Sequence, residues 1–347
     1  MSLPVDTSSI AAEAPVPVGS ARPRGGLLRY AARRLLTACT TLIFVMVFNF
    51  ILFRLMPGDP AALYFRGRNA SQEAVHRMQV ELNGNKWSQF VNYIKNPFST
   101  DFRSAQFSRP VWDVIGDRVW ATLLLLGVST ILSTVIGVWI GIRGGWRRGS
   151  WFDRTSTGVT LTLYAMPEFW LGMLLLIVLS TGVGAMKGIF PSGGIISPGV
   201  EQWSLNGIAN TAWHMALPVA TLTLVYLAEY SLVMRASLIE ESGQDYLRTA
   251  RAKGLMDRLV LRRHAVPNAL LPTITLVFLN IGFIVSGAIT VETVFSWPGL
   301  GLLSYEAIRG PDVALLQAIF LLFSITVVVA NAVADVIVAA LDPRVRI

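Results

Sequence analysis

Charge is scarce in this chain. Of 347 residues only 14% are Asp, Glu, Lys or Arg and 53% are hydrophobic, whereas soluble domains carry about 25% charged residues. That balance excludes an ordinary water-soluble globule and points to a protein that uses lipid as its solvent. Cysteine is scarcer still, with Cys39 alone and set inside an apolar run. A disulfide framework within the chain, a cysteine zinc site and an iron–sulfur cluster all need more thiols and are excluded. His76, His214 and His264 are the three histidines, too scattered to form a metal site. No Gly-x-x-x-x-Gly-Lys-Ser/Thr phosphate cradle occurs, and Gly-x-Ser-x-Gly and His-Glu-x-x-His are missing as well, so neither a P-loop nor a common hydrolase motif is present.

What charge there is runs positive, at +8 from 29 Lys and Arg against 21 Asp and Glu. A nucleic-acid binder gathers its cations on a stripe of a soluble domain. Here they fall between apolar runs, so no nucleic-acid partner is expected. Residues 1–28 are rich in Ser, Pro, Ala and Gly and are expected to form a disordered cytoplasmic tail, too poor in large apolar groups to offset chain entropy. The first apolar run, 35–53, follows Arg29, Arg33 and Arg34 in the charge order of a secretory signal. The residues after it, Arg54-Leu55-Met56-Pro57, offer no small-x-small cleavage site, and its length is close to the ~20 residues that cross a bilayer. An uncleaved first span is the expectation.

Charge-free stretches at 119–142, 269–291 and 313–334 are each long enough to cross as a helix. Two more apolar stretches carry one carboxylate each: 155–179 has Glu168 beside Pro167, and 213–234 has Glu229. The reading is an all-α membrane protein of six transmembrane helices. Counted by side, 18 of the 29 cations fall with the two termini and 11 on the other face, which places both termini in the cytoplasm because short cytoplasmic loops retain Lys and Arg. The chain then divides into the tail 1–28, a first span with a large external loop over 29–118, a core over 119–343 with a cytoplasmic loop at 236–268, and a cytoplasmic end at 344–347. The large external loop holds Trp87, Phe90, Tyr93, Phe98 and Phe102, enough aromatic content to be partly folded. Its Asn69-Ala70-Ser71 fits a glycosylation acceptor, a match too short to weigh much.

The cytoplasmic loop between the fourth and fifth spans has the strongest local pattern, Asp245-Tyr246-Leu247-Arg248-Thr249-Ala250-Arg251-Ala252-Lys253-Gly254. Asp245 suits a helix start and Gly254 a left-handed helix end. On that helix Tyr246, Leu247 and Ala250 share one side and Arg248 with Arg251 another, so an apolar face lies beside a basic one. Periodicity alone leaves two uses open, docking a cytoplasmic partner or lying on anionic lipid.

From Gly254 to Pro267, thirteen residues on, the loop resembles the signature loop of ATP-binding cassette importer permeases, with His264 and Val266 in place of an apolar residue and Leu. The run 245–255 is similar to the form found in the dipeptide and oligopeptide branch. Further segments resemble that branch in order: Arg54-Leu55-Met56-Pro57-Gly58-Asp59-Pro60-Ala61, Pro167-Glu168-Phe169-Trp170-Leu171-Gly172, Val291-Glu292-Thr293-Val294-Phe295-Ser296-Trp297-Pro298-Gly299-Leu300-Gly301, and Leu341-Asp342-Pro343-Arg344. The stretch 69–108 departs, lacking the Gly-Leu-Asp and Gly-Asp-Leu-Gly pieces of the branch.

The resemblance implies a type I importer permease in a bacterial cell membrane that is not itself an enzyme. It implies a second permease subunit, two ATPase subunits that bind ATP and Mg, and an external binding protein that delivers di- or oligopeptides, or nickel, glutathione or a related solute. Tyr246, Leu247, Arg248, Thr249, Ala250, Arg251, Lys253, Gly254 and Pro267 would couple the ATPases to the spans. Gly254 would allow a close turn, and Pro267 fits the first turn of the next span. Glu292, Trp297, Pro298, Gly299 and Gly301 would form an outer turn, in which tying down the chain and touching cargo are equally open to Glu292. Asp335 suits a pairing with a cytoplasmic-side Arg, Glu168 a kink, and Glu229 an approach to the cargo pathway. A secondary transporter, the reading from another class, would show repeated halves and broken helices around ion ligands; no such halves are visible.

Overall fold

The computed structural model describes residues 25–55, 85–95, 103–104, 106–183, 187–287, 289–310 and 312–341. The Met56–Ala61 part of the first motif, Asn69-Ala70-Ser71, Asn83, Phe98, Phe102 and Asp342-Pro343-Arg344 lie outside the described residues, as does 1–24 of the expected tail. The helix that begins the described chain starts at Gly25, four residues inside the stretch read as tail.

Twelve helices can be numbered along the described chain: α1 Gly25–Leu55, α2 Lys86–Lys95, α3 Val111–Trp146, α4 Trp151–Ala165, α5 Glu168–Leu175, α6 Leu205–Ser242, α7 Asp245–Ala252, α8 Asp257–Val260, α9 Val266–Gly287, α10 Ile289–Val294, α11 Leu300–Arg309 and α12 Val313–Leu341. Among the described residues there is no strand, only an isolated bridge between Arg103 and Pro110. Four helices are long and apolar enough to cross a membrane: α1, α3, α6 and α12. The stretch expected to be the third span, with a kink beside Pro167, is broken there. Helices α4 and α5, the latter extended by a π turn at Leu176–Thr181, meet at 102°, because Pro167 holds the preceding Met166 in an extended conformation (φ −83°, ψ 131°) and ends α4 there. The expected span at 269–291 falls mostly on α9, whose 22 residues rise about 33 Å, and its last residues fall on α10, with residue 288 between them outside the described residues.

Side chains on the outer faces are those of a lipid-facing protein. Phe44 on α1 is 68% exposed and Ile131 on α3 is 65% exposed, which in water would be an aggregation hazard and in hydrocarbon costs nothing. The interior has three clusters. One joins α1, α3, α11 and α12 through Phe53, Val114, Leu303 and Ile319; a second joins α3, α6 and the α10–α11 turn through Leu125, Leu222, Phe295 and Trp297; a third gathers Met234, Leu238, Leu247, Val260 and Ala269 around the short helices α7 and α8.

Helices α3 and α6 form the spine. Gly137, Gly141 and Gly145 recur every four residues on α3, and a Cβ on Gly141 would stand 2.7 Å from both Met234 Cβ and Ser231 O of α6. Only glycine lets the two backbones approach so closely. The 38 residues of α6 rise about 57 Å, well past the ~30 Å hydrocarbon core. Its last turns form a post that packs against α7 through Met234 and Leu238.

Candidate coupling site

Helix α7 is short and strongly two-sided, and the structure turns that pattern around. Leu247 is fully buried and Ala250 is 6% exposed, packed with Met234, Leu238, Val260 and Ala265 of this same chain. They fasten α7 to its own post and are not free to face a partner, as the sequence pattern had suggested. Gln244, extended at φ −74° and ψ 142°, occupies the cap position without a side-chain cap bond, and Asp245 falls in the first turn; it was expected to be the cap. The far end is as expected. Gly254 has φ +78°, its N–H donates to Arg251 O at 2.9 Å, and Leu255 N donates to Ala250 O at 3.3 Å. These are the paired bonds of a left-handed helix end, with Leu255 packed back onto the cluster.

Tyr246 clamps α7 at three points. Its hydroxyl bonds to Glu241 on α6 and to His264 O at 3.3 Å, and accepts from Asn268 Nδ2 at 2.8 Å. Burial, with the bond to Glu241, raises this phenol above the ordinary tyrosine value. Arg251 is held as well, its Nε 3.4 Å from Asp257 Oδ1 and its guanidinium 5.4 Å from the Trp146 ring centroid, while Trp146 Nε1 donates to Asp257 at 2.9 Å. The end of α3 is thereby tied to α7 and α8. What faces outward is Arg248, paired among the described residues only with exposed Asp245 at 3.3 Å, together with Thr249, Lys253 and Met256, which is 75% exposed. An exposed pair of that kind contributes little, so the Arg248 cation is available to a partner.

Pro267 falls in the first turn of α9, Val266–Gly287. The chain is helical without interruption from Asp257 to Gly287, and a π turn at Leu261–Ala265 precedes Pro267. The wider turn accommodates a residue that lacks an N–H.

The turn between α10 and α11 brings its five expected residues together. Glu292 has no exposed surface. Its carboxyl group accepts from Thr122 Oγ1 at 2.8 Å, Gly301 N at 2.7 Å and Leu302 N at 3.1 Å, which caps the start of α11 from outside that helix. A Cβ on Gly299 would lie 2.3 Å from Glu292 Oε2, and one on Gly301 2.6 Å from Ile289 Cα. Trp297, fully buried, donates from Nε1 to Ala121 O at 2.8 Å, and Pro298 beside it is half-buried. Ser296 takes φ +47°, a left-handed strain for a residue with a side chain. Of the two roles left open for Glu292, the structure gives it the tying role.

Other carboxylates sort by partner. Asp335 pairs with Arg34, joining α12 to α1, as expected. Glu168 accepts from Thr290 Oγ1 at the kink. Glu229 is half-buried and accepts from Asn280 Nδ2 at 3.2 Å, and no cation pairs with it among the described residues. None of these, nor any group of three or more His, Cys, Asp or Glu among the described residues, could hold a metal ion. Sequence reading missed the pair that stands at the base of the post: Arg235 Nε lies 2.6 Å from Asp153 Oδ1 and Nη2 3.1 Å from Oδ2, and Gly149 N also donates to Asp153 at 2.8 Å. Asp153 is 2% exposed. Its one signal was an Asp three residues after a Ser, a helix-start pattern that also describes many solvated turns.

The residues from 133 to 347 match the family model of the binding-protein-dependent transport system inner membrane component, and 27–126 match that of the N-terminal part of such membrane components. The chain belongs to this family. The dipeptide transport system permease protein DppB of Escherichia coli (strain K12) is 34% identical over 336 residues, covering 92% of this chain and 99% of that protein. The glutathione transport system permease protein GsiC of the same strain is 35% identical over 323 residues, with the same coverage. A chain of the MetNI methionine ABC transporter in an inward-facing conformation superposes with a TM-score of 0.52 at 20% identity, over 68% of this chain and all of that one. The fold is therefore that of a type I importer permease, and the protein is a multi-pass permease of the inner membrane.

Proposed function

We propose that this permease carries di- or oligopeptides as one subunit of an ATP-driven importer, beside a second permease, two ATPases and an external binding protein. The observation that carries the reading is the match along 92% of the chain to a dipeptide permease, joined to a rigid α7 whose outward side is cationic. In this scheme the ATPases bind ATP and Mg and grip Arg248, Thr249, Lys253 and the turn at Gly254. Because Leu247, Tyr246 and Arg251 lock α7 to α6, α9 and α3, a displacement of α7 is carried into three spans at once. Both termini and α7 then lie in the cytoplasm, and Glu229 reaches the pathway.

A free carboxylate in a low-dielectric span attracts a cation more strongly than it would in water, and a peptide brings an ammonium group. Glutathione is the second reading, favoured by the 35% identity to a glutathione permease. Uptake of neutral, cationic and anionic peptides and of glutathione into vesicles holding the whole complex separates these cargoes. We expect ATP-dependent peptide uptake, with Glu229→Gln weakening cationic peptides about tenfold and leaving anionic ones unchanged. Uptake of glutathione alone would reject the peptide reading, and a uniform change across the peptides would remove Glu229 from cargo selection.

A further inference from the structure

A groove of about 420 Å3 runs along one face of α4, lined by Arg154, Thr155, Gly158, Val159, Thr162 and Leu163. These positions recur at three- and four-residue spacing and so share a face. The threonines do not make it polar. Thr155 Oγ1 donates to Trp151 O at 2.9 Å and Thr162 Oγ1 to Gly158 O at 2.9 Å, so both hydroxyls are satisfied within the helix. At Gly158 nothing stands within 4 Å of where a Cβ would be, which leaves a notch open to the surroundings.

The two ends of the groove differ. Arg154 stands at one, exposed and without an ion-pair partner among the described residues, because the neighbouring Asp153 is held bidentately by Arg235. Trp151, one turn earlier on the same face, is 80% exposed. Exposed Arg147 and Arg148 add cations at this end, and Arg143 stacks 4.9 Å from the Phe152 ring centroid. The other end is apolar. From Arg154 to Leu163 the helix rises about 14 Å, close to the ~15 Å thickness of one leaflet's hydrocarbon.

We propose that this groove binds an anionic phospholipid, with the phosphate at Arg154 and an acyl chain laid over the Gly158 notch. Charge complementarity selects the occupant: cations without acids gather at one end, no free hydrogen-bonding group lies along the rest, and Trp151 marks the depth at which headgroups sit. The inference rests on the membrane placement of the chain and not on its cargo.

The purified, delipidated complex is titrated with phosphatidylglycerol or with phosphatidylcholine of the same chain length, and retained lipid is read by native mass spectrometry. Wild type should retain phosphatidylglycerol at least fivefold better. Arg154→Gln should bring the two lipids to parity and Arg154→Lys should keep the preference. Gly158→Leu, placed in open space, should lower retention of both lipids, and Arg262→Gln, an exposed cation elsewhere, should change nothing. Equal retention of the two lipids by wild type overturns the proposal, as does phosphatidylglycerol retention that Arg154→Gln and Gly158→Leu leave untouched, or that Arg262→Gln reduces as much as they do. Capture of a protein subunit, rather than lipid, by a photo-crosslinker at position 158 would overturn it too.

Discussion

Glu292 holds three donors while exposing no surface, and a buried donor left without its acceptor costs about 1–3 kcal/mol. Glu292→Ala should therefore destabilise the protein by about 3 kcal/mol or more, seen as a lower thermal midpoint of the detergent-solubilised complex, with no selective effect on cargo. A wild-type midpoint would mean that the turn is held by something else. The motif around Glu292 was legible in the sequence, since its glycines and tryptophan stand at a recognisable spacing. The direction of its carboxylate was not, because that depends on Thr122, which lies 170 residues away. Asp153 and Arg235, 82 residues apart, escaped notice for the same reason: each is an ordinary charge until the fold brings them together.

Helices were easier to read than their ends and faces. Long apolar runs placed the middles of α1, α3, α6 and α12, because in lipid a backbone has few alternatives to a helix, but each helix extends past its run by about seven to ten residues on at least one side. Pro167 signalled a kink but not a bend of 102°. On α7 the apolar side was correctly identified and wrongly aimed. Periodicity gives a face; whether that face meets this chain or a partner depends on how far α6 extends beside it. The glycines of α3 make the clearest test at this scale. Gly141→Leu would force a side chain into Ser231 O and Met234, and overpacking of this kind costs about 1–3 kcal/mol, occasionally more. It should lower the thermal midpoint and broaden the size-exclusion peak. Gly127→Leu on the same helix, where nothing stands within 4 Å of the added atom, should behave as wild type. Equal behaviour of the two would remove close α3–α6 contact from the account.

At the scale of the whole molecule the bilayer sets the frame, and orientation follows from cations on the loops. With Cys39 replaced by Ser, a membrane-impermeant thiol reagent applied to intact cells should label a cysteine placed at position 83 and spare one at position 150; the reverse would invert the topology. The central claim is that a separate ATPase moves these spans through the outward side of α7. Arg248→Glu combined with Lys253→Glu reverses the charge of that side without touching buried Leu247 or Ala250, so the permease should fold and insert as before. Its decisive test is the stoichiometry of ATPase subunits that co-purify with this double variant. A wild-type thermal midpoint for the permease with ATPase subunits reduced at least fivefold is the result expected here. Full ATPase stoichiometry, with hydrolysis still stimulated by cargo-loaded binding protein, would contradict it.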